Sequence, residues 1–231
     1  MSYTFSDQLN KLSSLLGDPN SSSDDMFPSA TRYKEINRGE WKFAVDTLDL
    51  REYATGTVSS MQIPLPADFI KMHVLIMTTT VSQIVLTNDR EISLKDWERY
   101  YLYQSDRPWF YRWDYSNVAY YKFLANNALA NGQTYYLYYF KKPTTELVNL
   151  TDVSLHREEW REASVFYAAA QLMQQIGKFT QAQQYIQEYQ ALVDTAITTV
   201  KQEYIDAERA VPDFGVRTQV LTDTQGHGYV G

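Results

Sequence analysis

The hydrophobic period of this chain changes twice, and those two changes constrain its fold more than any single residue does. Over the first fifty residues, apolar side chains recur at the three- and four-residue spacing of one helical face. Phe5, Leu9, Leu12 and Leu16 form one such set, and Tyr33, Ile36, Phe43 and Ala44 form a second. From Arg51 the pattern becomes short alternating runs, which suit strands with one buried face. The helical period returns in Trp160, Ala163, Tyr167, Ala170 and Met173, and again from Tyr185 to Tyr204. This order predicts an α+β fold with three parts. Residues 1–50 and 151–209 should form an antiparallel helical bundle, 51–150 an inserted antiparallel β-rich domain, and 210–231 an extended C-terminal tail.

Local signals place the elements. A helix is expected from about Phe5 to Leu16, capped by Thr4 or Ser6 and ended by Gly17. Asp18 to Asp25 reads as a polar loop before a second helix over Thr31 to Asp46. Thr57 to Ile63 alternates weakly until Pro64 and Pro66 stop it, because proline cannot donate to a sheet ladder. Val74 to Thr80 and Gln83 to Thr87 read as a hairpin, and Ser93 to Tyr103 as a short helix. Trp109 to Asp114, Val118 to Leu124 and Thr134 to Lys141 read as further strands, with Asn126 to Gly132 a turn-rich link. Gly177-Lys178 separates the last two helices. Thr180 with Gln183 suggests a capping box opening the final one, which runs to about Glu208.

The chemistry-bearing residues do not assemble into a reaction centre. Cysteine is absent, which removes disulfides, zinc–thiolate sites and thiol nucleophiles. His73, His156 and His227 lack a second ligand at metal spacing. His156 with Glu159 and Glu162 can be read as a carboxylate–imidazole face, but a solvated helix start, where the helix dipole favours acid, explains Glu158, Glu159 and Glu162 better. Asp24-Asp25 and Asp89-Arg90-Glu91 read as solvated carboxylates in polar loops. No phosphate-cradling glycine loop or nucleophile elbow is present. No catalytic, cofactor-binding or metal-binding residue is therefore expected.

Charge and hydropathy narrow the partners. The net charge is −7, distributed as −3 over 1–50, +1 over 51–150, −4 over 151–209 and −1 beyond. No basic block is available to displace counterions from phosphates, so tight nucleic-acid binding is not expected. The N-terminal residues lack a basic region followed by an apolar run, and no apolar window is long enough to span a membrane. The expectation is a soluble protein that folds in a cytoplasm. Tyrosine occurs 19 times, much of it in short runs between Tyr100 and Tyr139. The aromatic runs Trp109 to Tyr115 and Tyr135 to Phe140 can be read as a stacking platform for sugars or bases. Alternation reads better as half core and half protein interface, a setting that suits tyrosine.

Several phrases, in order, carry a family resemblance over most of residues 3–205. They are Leu15-Leu16-Gly17-Asp18, Ile36-Asn37-Arg38-Gly39-Glu40-Trp41 and Leu65-Pro66-Ala67-Asp68-Phe69-Ile70-Lys71. Leu137-Tyr138-Tyr139-Phe140-Lys141-Lys142-Pro143 with Leu147 follows, then Gly177-Lys178-Phe179 and Ala182-Gln183-Gln184-Tyr185 with Tyr189. Together they resemble the head-to-tail adaptor (connector) proteins of tailed bacteriophages, in the variety with a β domain inserted between helices. The resemblance implies a ring of about twelve copies beneath the portal protein, with a downstream tail or nozzle protein docked below. It implies residence at the head–tail junction of a virion assembled in the host cytoplasm, with genomic DNA passing through the lumen without specific binding. A ring of about twelve would carry about −84 charges, which repels phosphate rather than gripping it. In the tail, Phe214, Val216, Val220, Leu221, Tyr229 and Val230, with Arg217 among them, space apolar groups along a stretch that has no helical face. They are the expected contacts to portal or to a neighbouring subunit. Two other readings are another tail or neck structural protein and a carbohydrate-binding module.

Overall fold

Thr4 opens the first helix as the sequence predicts. Its hydroxyl accepts the Asp7 N–H at 3.4 Å while the Asp7 carboxylate accepts the Thr4 N–H at 2.7 Å, a reciprocal capping box. The helix, α1 (Phe5–Leu16), ends at Gly17 in the left-handed region, φ 72°. Helix α2 is Ser29–Thr47. Seven strands follow: β1 (Arg51–Thr57), β2 (Gln62–Pro64), β3 (Phe69–Thr78), β4 (Gln83–Leu86), β5 (Phe110–Tyr115), β6 (Val118–Phe123) and β7 (Thr134–Lys141). A 3₁₀ turn, Glu158–Trp160, leads into α3 (Glu162–Gln175) and then α4 (Phe179–Ala210). The protein is α+β. This computed structural model describes residues 3–17, 26–78, 83–86, 91–93, 110–115, 118–123 and 132–210. The expected Asp18–Asp25 loop, Trp109, the Asn126–Gly132 link up to residue 131, the tail beyond 210 and nearly all of the Ser93–Tyr103 helix lie outside those residues.

The strands form two antiparallel sheets, ordered β1-β7-β3-β4 and β2-β6-β5. Ile63, Phe110, Tyr121 and Phe123 from the smaller sheet meet Met72, Leu75, Met77, Leu137 and Tyr139 from the larger in one apolar core. Residues 57–63 are not the single strand expected from their weak alternation. They hold the last residue of β1, a tight turn with Ser60 and Met61 at positive φ, and β2. That turn hands the chain from one sheet to the other.

Strand β3 begins five residues before the expected Val74. Its register against β7 slips twice, between Phe69 and Lys71 and between Met72 and Val74. Each bulge inserts one residue, so Phe69, Met72, Leu75 and Met77 all face the core although their spacing is not two. Strict alternation fails here because the strand itself is irregular.

The helices pack around their own buried residues. Gly39 of α2 meets α3 so closely that an added Cβ would lie 2.6 Å from the Ser164 carbonyl oxygen. Glycine is required there by the approach of two backbones. Ala163, Ala168, Ala169 and Ala170 keep the α3 surface low for the same purpose. The first and last helices meet where the Tyr185 hydroxyl of α4 donates to the Leu15 carbonyl of α1 at 2.7 Å. Helix α4 opens at Phe179, so Thr180 lies inside its first turn and not at the cap position expected for a Thr180–Gln183 box.

Candidate interaction surface

The helices and strands are joined by two crossings, residues 48–50 and 142–157, and the second of these builds a groove against α2. Asn37 of α2 holds that segment as a neighbouring strand would. Its side-chain amide donates to the Leu147 carbonyl at 3.0 Å and its oxygen accepts the Leu147 N–H at 2.7 Å. The Asp152 carboxylate accepts the N–H groups of Val148 and Asn149, both at 2.8 Å, and these two donors hold its pKa below the usual carboxylate range. Phe5 and Ser6 at the start of α1 then donate to the carbonyls of Asp152 and Leu150.

With its backbone pinned in this way, the segment turns apolar side chains outward. Val148 is 62% exposed and Leu155 56%, and Trp41 across the groove on α2 is 46% exposed. Exposure of that size in three large apolar side chains around one concavity is a mark of a surface that meets another molecule. The cavity is about 1120 Å³ in volume. Its lining carries Lys34, Arg38 and Lys142 together with Glu146 and Asp152. Arg38 reaches Glu35 at 3.8 Å, while Lys34 and Lys142 have no acidic partner among the described residues. The groove is thus mostly apolar, with a rim of mixed charge in which three cations stand beside the exposed Glu146.

Beneath the groove lies a buried polar network that ties the crossings to the helices. Glu40 of α2 accepts from the Gln8 amide at 3.0 Å and from the Ser154 hydroxyl. His156 is buried, and Nδ1 lies 2.7 Å from Asp49 Oδ2 while Nε2 lies 3.0 Å from the Glu40 carbonyl. Both ring nitrogens therefore face acceptors, which suits an imidazolium donating twice. Burial alone would push its pKa down. The Asp49 hydrogen bond, the Asp49 charge and the nearby Glu40 outweigh that and raise it. The carboxylates that His156 faces are Asp49 and Glu40 rather than Glu159 and Glu162, and Glu158 and Glu159 are exposed at the helix start. The partners of His156 lie 107 and 116 residues away in sequence, beyond any local pattern.

The other residues singled out from sequence fall elsewhere. His73 sits half-buried in β3. Glu91 is half-buried, its pKa raised chiefly by burial, and it accepts from the Tyr121 hydroxyl at 3.4 Å; it is not a freely solvated carboxylate. Asp24, Asp25, Asp89, Arg90 and His227 lie outside the described residues, as do the expected contacts Phe214, Val216, Arg217, Val220, Leu221, Tyr229 and Val230. No group of three or more potential metal ligands occurs among the described residues. Within those residues, no helix is long and apolar enough to cross a membrane.

The aromatic strands divide by face as alternation predicts. In β7, Tyr135, Leu137 and Tyr139 are buried while Tyr136 and Tyr138 are exposed. Tyr53 of β1 lies beside Tyr138 with ring centroids 6.0 Å apart. Trp113 is stacked on Tyr120 at 6.4 Å and 16°, so one of its faces is already occupied by protein.

The surface that sequence reasoning missed is the groove. Its exposed Trp41 was visible only as the end of the Ile36–Trp41 phrase, and its proximity to Leu155 depends on the long-range Asn37–Leu147 pairing. Compared with known proteins, the chain is matched over residues 3–213 by the family model described as SU10 adaptor protein. No curated protein matches it.

Proposed function

Since the chain belongs to the SU10 adaptor protein family, we propose that it is a structural head-to-tail adaptor of a tailed bacteriophage. In this reading copies of the chain form a ring of about twelve under the portal protein, extend the DNA channel and present a docking surface to a downstream tail or nozzle protein. The family match over nearly the whole chain carries the reading. The exposed apolar groove supports it, because a protein whose work is to join others needs such surfaces. The acidity of the helical arms suits a channel wall that lets DNA pass without holding it. The role is one of assembly, with no reaction assigned, and the site of action is the virion.

In the same reading residues 1–50 and 151–209 act as one helical domain, 51–150 as an inserted β-rich domain, and 210–231 as an extended docking segment. That segment contacts portal or a neighbouring subunit through Phe214, Val216, Arg217, Val220, Leu221, Tyr229 and Val230. A sugar-binding role is less well supported, because Trp113 stacks on Tyr120. The reading is tested by sedimentation of the full chain with its portal protein. A stoichiometric complex holding many copies per portal is expected. A chain that stays at the top of the gradient would overturn the adaptor assignment.

A further inference from the structure

The groove and the last helix lie on opposite sides of α2. Phe43 of α2 packs on Tyr189 of α4 with centroids 6.3 Å apart, and Val193, Ala196 and Val200 continue that contact. Lys34, Arg38 and Trp41 sit roughly 140–180° round the helix from Phe43 at about 3.6 residues per turn. The contacting stretch of α4 therefore lies across α2 from the groove that α2 shares with 142–155. A closed ring needs this kind of subunit. Its contacts are heterologous, so each copy must offer two different surfaces on opposite sides.

We propose that the groove of one copy receives the C-terminal segment 211–231 of the next copy in the ring. This rests on the adaptor reading and names the partner of its exposed groove. Three observations choose this occupant. The segment has 21 residues, which extended at about 3.3 Å each reach some 70 Å, ample to cross to a neighbour. It offers spaced apolar side chains, Phe214, Val216, Val220 and Leu221, to a groove rimmed by Trp41, Val148 and Leu155. Its Asp213 and Asp223 complement Lys34, Arg38 and Lys142, while Arg217 has Glu146 to meet. An extended segment with apolar anchors suits a groove whose far wall is an irregular extended stretch of chain.

The absence of cysteine makes the test direct, since only introduced thiols can be linked. Full-length chain carrying Arg38→Cys on the groove rim and Val220→Cys in the segment is treated with a short thiol cross-linker, free and bound to portal. The expected product is a ladder of covalently linked copies. Adding Trp41→Ala should lower the linked fraction about tenfold or more, as removal of a central aromatic anchor does. Repeating the experiment with the thiol at Val216 or Leu221 covers the alternative register of side chains along an extended segment. A fast-migrating cross-linked monomer at every protein concentration would mean that the segment folds back on its own groove, and would overturn the proposal. Dimers formed by Arg38→Cys alone would overturn it too, since two grooves would then face each other. Portal-bound rings without any groove-to-segment link would overturn it while leaving the adaptor reading intact. Absence of both multimers and portal complex would overturn the two together.

Discussion

The helical part and the strand part of this molecule are held together by different materials. Among the described residues, the buried polar and charged side chains are Gln8, Arg32, Glu35, Glu40, Thr47, Ser154, His156 and Ser164, and all belong to helices or to the crossings beside them. The core between the sheets is apolar and aromatic, and its tyrosine hydroxyls reach carboxylates at the rim, as Tyr139 reaches Asp68 at 3.1 Å. The reason lies in geometry. Where Gly39 and the alanines bring α2 and α3 together, hydrogen-bonded groups fill the space beside them, and apolar clusters around Phe5, Leu12 and Ile36 and around Phe43, Trp160 and Tyr189 enclose that network. Sheets lie about 10 Å apart and leave room for rings. The helical part thus depends on its polar partners as well as on packed volume, the sheet core on volume.

Three experiments can break or sharpen that contrast. The largest effect is expected from Glu40→Ala, which strips the acceptor from Gln8 and Ser154 and removes a carboxylate facing His156. About 3–5 kcal/mol should be lost, as when one partner of a buried ionic network is removed. Far-UV circular dichroism during melting should record it. Leu75→Ala, which opens a cavity between the sheets, should cost about 3 kcal/mol. Near-UV signals from the aromatic strands should report it. If both variants shift both signals equally, the two cores unfold as one and the contrast concerns composition alone.

The smallest effect is one of pH. The folded pKa of His156 is above its ordinary value. Its stabilising contribution is thus fully present below the ordinary histidine range and is lost as pH rises through the raised value. Wild-type helices should melt at lower temperature as the solution becomes alkaline, and His156→Gln should flatten that slope. Leu75→Ala should keep the slope unchanged. A slope that persists in His156→Gln would assign the pH dependence to another group.

Much of the architecture was legible because it is written in local spacing. Thr4, the Phe5–Leu16 face and Gly17 define α1 without reference to anything distant, and Thr134 to Lys141 alternates cleanly enough to give β7 its full length. The same tools stumbled where the backbone departs from its period, at the β3 bulges and at the turn through Ser60 and Met61. They were blind where meaning depends on a distant partner. Nothing near Gly39 announces Ser164, and nothing near His156 announces Asp49. The groove belongs to this last class, since Asn37 and Leu147 are 110 residues apart.

The pairing of β1 with β7 has a kinetic consequence. Glu40 and His156 are separated by 116 residues, and bringing them together from an open chain is a long loop closure. Once Arg51 pairs with Phe140 and Lys141 donates to the Leu50 carbonyl at 3.0 Å, the remaining path between them is about 25 residues. With closure entropy growing as the logarithm of length, that shortcut lowers the cost by about 1 kcal/mol. Strand pairing should therefore precede docking of the two terminal arms. In a refolding experiment the aromatic signal of the sheets should rise first, and the helices should find each other afterwards, across a gap the strands have already narrowed.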